Sequence, residues 1–118
     1  MKDEKLSAND LFGNTDWNVQ ELSLEIDEYK GNGFDSIEVS TNEKEELINA
    51  LKTSEFKKVN QTVNAMNAYS ITINTNKYIS FFVDSEKGII QMVDKGEDDN
   101  AYEFNENSEF IKLLLKLK

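Results

Sequence analysis

Apolar residues recur along this chain in two rhythms. Trp17 and Val19 alternate with polar residues, Leu22, Leu24 and Ile26 continue in the opposite parity, and Ile37 and Val39 follow a Gly31-Asn32-Gly33 triplet. A period of two marks a strand with one buried face. A bulge near Gln20-Glu21 reconciles the two phases within one long strand, because a bulge inserts one unpaired residue. The glycine triplet is a tight turn, so this region is predicted to form a β-hairpin.

The rhythm then changes to that of a helix. Leu47, Ile48 and Leu51 share one helical face. Asn42 is placed to cap, with Glu45 three residues on as its reciprocal partner. Acidic residues in the first turn and Lys52 in the last suit the helix dipole, and the helix is predicted over residues 43–52. Phe56 and Val59 follow in a short extended stretch, and residues 60–67 are polar and read as a loop. Strict alternation returns with Tyr69, Ile71 and Ile73; strands with apolar residues in both parities follow at 78–83 and 89–93, then a short one at 101–104, with turns at residues 74–77 and 84–88. Short strands at this spacing predict an antiparallel meander. A closing helix places Phe110, Leu113, Leu114 and Leu117 on one face behind an Asn107-Ser108 cap. The fold class expected is α+β: an antiparallel sheet of about five to six strands with two helices packed on one face.

Residues 1–16 break this patterning. They are polar except for Leu6 and the Leu11-Phe12 pair, and read as a flexible or docking segment ahead of a single α+β domain over residues 17–118. The meander raises a question about that segment. With Ile79, Phe81 and Val83 facing the helices, Tyr78 and Phe82 point to the opposite face, and Ile90 and Met92 are placed with them. A sheet covered on one side normally shows a polar second face. Either the segment carrying Leu11 and Phe12 folds over that face, or Tyr78, Phe82, Ile90 and Met92 form a patch for a protein partner or a homodimer.

Composition narrows the chemistry. The chain has 118 residues, 23 acidic side chains against 13 basic ones, all lysine, and no histidine, cysteine or proline. It therefore lacks an imidazole base, a thiolate and the guanidinium fork that grips phosphate. Two carboxylates suffice for some hydrolases, but no pair stands out here. The expectation is a chain that is not an enzyme and uses no cofactor. A net charge of −10 disfavours direct binding to nucleic acid. No stretch approaches the about 20 apolar residues that span a bilayer. The glycines form neither a dinucleotide fingerprint nor a P-loop.

The stretches Asp16-Trp17, Ser36-Ile-Glu-Val-Ser40, Phe56-Lys-Lys-Val59, Tyr69-Ser-Ile-Thr-Ile73 and Tyr102-Glu-Phe104 before Phe110-Ile-Lys-Leu113 together resemble small sheet-and-helix domains from lipoproteins and surface proteins of low-GC Gram-positive bacteria. The resemblance covers about the last 100 residues and includes no diagnostic motif, so no catalytic residue is carried over. It implies an extracytoplasmic domain separated from its membrane anchor, a setting favoured over the cytoplasm. The chain departs from the pattern in having no lipid-bearing cysteine.

Two functions follow as expectations. The first is a binding or accessory module that contacts a protein partner, as monomer or homodimer. The second is a cytosolic acidic inhibitor that blocks a basic nuclease or a nucleic-acid-binding surface by charge complementarity, as an immunity or phage anti-defence protein does. One smaller candidate is the acidic loop of residues 94–100, which has oxygen ligands for calcium but not the EF-hand spacing. Solubility explains its charge, so millimolar calcium is expected to leave the melting temperature unchanged. A rise would reveal a calcium site, since a ligand of the folded state must stabilise it.

Overall fold

The computed structural model describes residues 5–18, 20–64, 66, 68–93, 101–105 and 108–117. Its elements in chain order are β1 (Leu6–Ser7), α1 (Ala8–Phe12), β2 (Ser23–Tyr29), β3 (Phe34–Ile37), α2 (Thr41–Lys52), β4 (Glu55–Val59), β5 (Ala68–Asn74), β6 (Tyr78–Asp84), β7 (Ile89–Met92), β8 (Ala101–Phe104) and α3 (Glu109–Lys116). The fold is mixed α+β with one antiparallel sheet. Among the described residues it has eight strands, in the order β1-β4-β8-β7-β6-β5-β2-β3, and three helices, against the about five to six strands and two helices expected. The meander from β5 to β8 and the β2–β3 hairpin form as patterned.

The additional elements come from the N-terminal segment. Ser7 and Asp10 make a capping box: the Ser7 amide donates to the Asp10 carboxylate at 2.8 Å, and the Asp10 amide donates to Ser7 Oγ at 3.2 Å. That box starts α1, and Gly13, at φ +73°, ends it. A Cβ at Gly13 would lie 3.0 Å from Lys77 Nζ, which donates to the Phe12 carbonyl at 3.0 Å. Only glycine suits both the backbone angle and that close approach. Leu6 pairs with Phe56, so β1 extends the sheet beyond β4.

Two local readings change. Trp17 and Leu22 do not share a bulged strand. The Asn18 carbonyl accepts from the Glu21 and Leu22 amides at 3.1 Å each, and the Asp16 carboxylate accepts from the Asn18 amide at 3.1 Å. The parity switch is thus a turn, made by Asp and Asn side chains that bond their own backbone. The cap of α2 is Ser40 with Glu43, two residues earlier than Asn42 with Glu45. Both pairs have the capping-box spacing, and the earlier one adds a half-turn of helix.

Register assigns the faces. Tyr69, Ile71 and Ile73 on β5 pair with Val83, Phe81 and Ile79 on β6, which place Ile90 and Met92 of β7 on the same side. Phe104 of β8 and Phe56 of β4 continue it. Leu11, Phe12, Leu47, Ile48, Leu51, Phe110 and Leu114 from the three helices join these residues in one core. Phe12 sits at its centre, its ring 5.6 Å from Phe81, 6.4 Å from Phe56 and 5.9 Å from Trp17. The N-terminal segment therefore covers the helix-bearing face, not the opposite one. At the rim of this face burial, aided by the Glu28 carboxylate, pushes the Tyr69 phenol above its ordinary value of 10.0.

Removing the Phe12 ring leaves a cavity among three other aromatic side chains. Phe12→Ala is expected to lower stability by about 3–5 kcal/mol, read by urea unfolding followed through Trp17 fluorescence. A loss below about 0.5 kcal/mol, the size usual for a surface change, would mean that α1 is not part of the core.

Candidate functional site

The second face of the sheet is only partly covered. The chain must travel from β4 to β5, four strand positions away in the sheet. That is about 19 Å at the usual spacing of about 4.8 Å. Residues 60–64 make the crossing over the second face. The Val63 amide donates to Gln91 Oε1 at 3.3 Å, and the Asn64 amide donates to Asp84 Oδ2 at 2.9 Å. Asp84 is fully buried, and its other oxygen accepts from the Glu86 and Lys87 amides at 3.0 Å each. One carboxylate therefore fixes both the β6–β7 turn and the crossing segment. Ala68, Ile89 and Ala101 are buried on this side.

A second cover comes from the β2–β3 hairpin. Phe34 on β3 lies three strand positions from β6, about 14 Å on a flat sheet. Yet its ring stacks on Phe82 at 6.3 Å and meets Tyr29 at 5.4 Å. The hairpin tip must curl over β5 to achieve this. The β5 residues beneath it on that face, Ala68 and Ser70, are small enough to allow the approach.

What remains open is a shallow trough. Its floor is the cross-strand row Glu25, Thr72, Ser80 on β2, β5 and β6, with Val93 beyond Met92 completing it. One wall is Tyr78, 63% exposed, and the other is the stacked pair of Phe34 and Phe82. Phe34 and Val93 are exposed as well. At the β2 end stand Glu25 and Asp27, the latter accepting from Ser36 Oγ at 2.9 Å. Every second-face position from β7 to β3 is free of lysine. The trough thus joins apolar walls, a hydroxyl floor and an anionic end.

The four residues singled out by sequence divide here. Tyr78 and Phe82 lie on the second face, Tyr78 open and Phe82 half-buried beneath Phe34. Ile90 and Met92, 0% and 3% exposed, lie in the core under the helices. The β6–β7 register decides this, since Phe81 pairs with Met92 and Val83 with Ile90. Sequence reasoning passed over Phe34, Glu25 and Val93. Phe34 had a visible signal, as a large aromatic beside a glycine turn, but nothing local says that the hairpin tip curls.

A second concavity of about 740 Å³ lies at the end of the sheet, between β4, β8, the β6–β7 turn and the start of α3. Lys5, Lys57, Lys87 and Lys112 line it together with Glu55, Glu86 and Glu103. Lys5 meets Glu55 and Lys57 meets Glu103, each at 3.8 Å and in solvent. Such near-balanced, solvated charges exert little net pull on a charged ligand. Among the described residues, no three acidic side chains converge as metal ligands, and no helix is long and apolar enough to cross a membrane. The acidic loop of residues 94–100 lies outside the described residues.

Comparison with known proteins finds no match: no protein-family model, no curated protein and no solved structure aligns with this chain.

Asp84 and Tyr78 stand at opposite ends of β6 and have opposite roles in stability. Asp84→Ala strips three backbone amides of a charged acceptor and is expected to cost about 3 kcal/mol, given about 1.5–3 kcal/mol for a hydrogen bond to a charged group. Tyr78→Ser is expected to stay within about 0.5 kcal/mol. Urea unfolding of both variants checks this. A large loss in Tyr78→Ser would show that the ring is structural and the trough not free.

Proposed function

We propose that this chain is a non-enzymatic binding module that contacts a protein partner through the second face of its sheet. The observation that carries the reading is the asymmetry of the two faces. One is sealed by three helices, whereas the other presents Tyr78, Phe34 and Val93 to solvent at 63%, 45% and 43% exposure. Aromatic side chains in a shallow, rigid setting are typical anchors at protein interfaces, because they bury much area and lose little conformational freedom. Strand β6 under Tyr78 is tied on both sides by backbone ladders, and Phe34 on the edge strand β3 is held by its stack on Phe82, so these anchors are pre-organised.

The resemblance to surface-protein domains favours an extracytoplasmic setting for such a module. A second reading, the acidic inhibitor of a basic nuclease, draws on a specific observation: the open part of the face carries Glu25 and Asp27 and no lysine. Either way the partner is a different protein. Two copies of a chain with net charge −10 repel each other, and apposing this face would bring like charges together.

A photo-crosslinking residue at position 78 tests the surface, with the same residue at the exposed Glu46 position on α2 as control. Position 78 is expected to give discrete adducts that excess unlabelled protein abolishes and the Tyr78→Asp variant does not. Identical adducts from both positions, or adducts insensitive to competition, would rule out this face as the docking surface.

A further inference from the structure

The dimensions and charge of the trough identify what kind of segment it takes. This inference rests on the second face being a docking surface. Tyr78 and Phe82 are four residues apart on β6. At about 3.3 Å per residue their walls stand about 13 Å apart. An extended peptide would leave that width unfilled, while an α-helix, about 10–12 Å across with its side chains, fills it. The floor between the walls, Thr72 and Ser80, is short and flat, as a helix laid across strands requires. The trough spans three strand gaps from β7 to β2. This is about 14 Å, or nine to ten helical residues at about 1.5 Å each.

The electrostatics then choose the occupant. Glu25 is exposed at the β2 end with Asp27 beside it, and no basic side chain on these strands offsets them. An acidic helix would meet like charge there, and an uncharged one would leave both carboxylates poorly solvated. A lysine or arginine on the occupant completes them and also lies within reach of exposed aromatic rings, whose faces attract cations. We propose that the trough docks a short, basic, amphipathic helix of a partner protein, its apolar stripe between Tyr78 and Phe34 and its cations toward Glu25 and Asp27.

The test uses the full chain labelled with ¹⁵N and a 14-residue helical peptide of leucine and lysine. Its counterpart has glutamate in place of every lysine. The lysine peptide is expected to shift the backbone amides of Glu25, Thr72, Tyr78 and Ser80. It should leave α2 unshifted, although α2 also exposes Glu45 and Glu46 and so reports indiscriminate attraction. Glu25→Lys is expected to weaken binding at least tenfold and Tyr78→Ser at least fivefold, with melting temperatures unchanged. Equal shifts on α2, or an affinity indifferent to Glu25→Lys, would overturn the proposal, as would a lysine peptide that shifts none of these amides. A glutamate peptide that binds the trough equally well would overturn the basic helix while leaving the docking face intact. Failure of the docking face itself is read separately, by crosslinking from position 78.

Discussion

The Asp84 carboxylate does for this fold what a much larger interface does in others. The chain places β4 near one edge of the sheet and β5 toward the other, so it has to cross back over the sheet. Helix α2 makes the outward crossing on one face and residues 60–64 make the return on the other. A helix satisfies its own backbone groups during such a passage, whereas an irregular segment does not. Asp84 supplies the acceptors that the returning segment and the adjoining turn need, from a position with no exposure. Where that segment runs, the second face is closed. Where it does not run, the face is open, and the candidate site is what is left.

The two covers of the second face work differently. The crossing segment is held by polar contacts to Gln91 and Asp84, the hairpin tip by an aromatic stack between Phe34 and Phe82. Both end near the same half of β6, which leaves Tyr78 at the far end exposed, with Asn74 beside it. The opposite face has no such gap. Ring contacts run through it from Phe12 to Phe56, Phe104 and Phe110 and lock α1 and α3 onto the sheet, while α2 joins the same core through Leu47, Ile48 and Leu51. Helices of five to twelve residues have little stability alone, so they depend on this packing.

Charge follows the same division. Lysines collect at the sheet end near α3, where glutamates match them. The trough keeps its carboxylates without partners of opposite sign on its own strands. A net charge of −10 is a general aid to solubility, but its placement is what gives the face a preference for cationic partners.

Much of this was legible in the residues. Alternation located the four strands of the meander, the glycine triplet located the hairpin, and leucine spacing located α2 and α3, because burial of one side chain in two or in three to four is a local property. The capping box at Ser7 and Asp10 was legible too, although its short apolar run made it look like a tail. Parity alone put Tyr78 and Phe82 on the face opposite Phe81. Only the tertiary structure decided that Ile90 and Met92 belong to the core, since that depends on strand register, which one residue of slip reverses. It also decided that Phe12 enters the helix side, that the hairpin tip curls onto Phe82, and that the chain closes half of the second face. Those outcomes come from contacts between residues far apart in sequence, where local pattern carries no information about which surfaces meet.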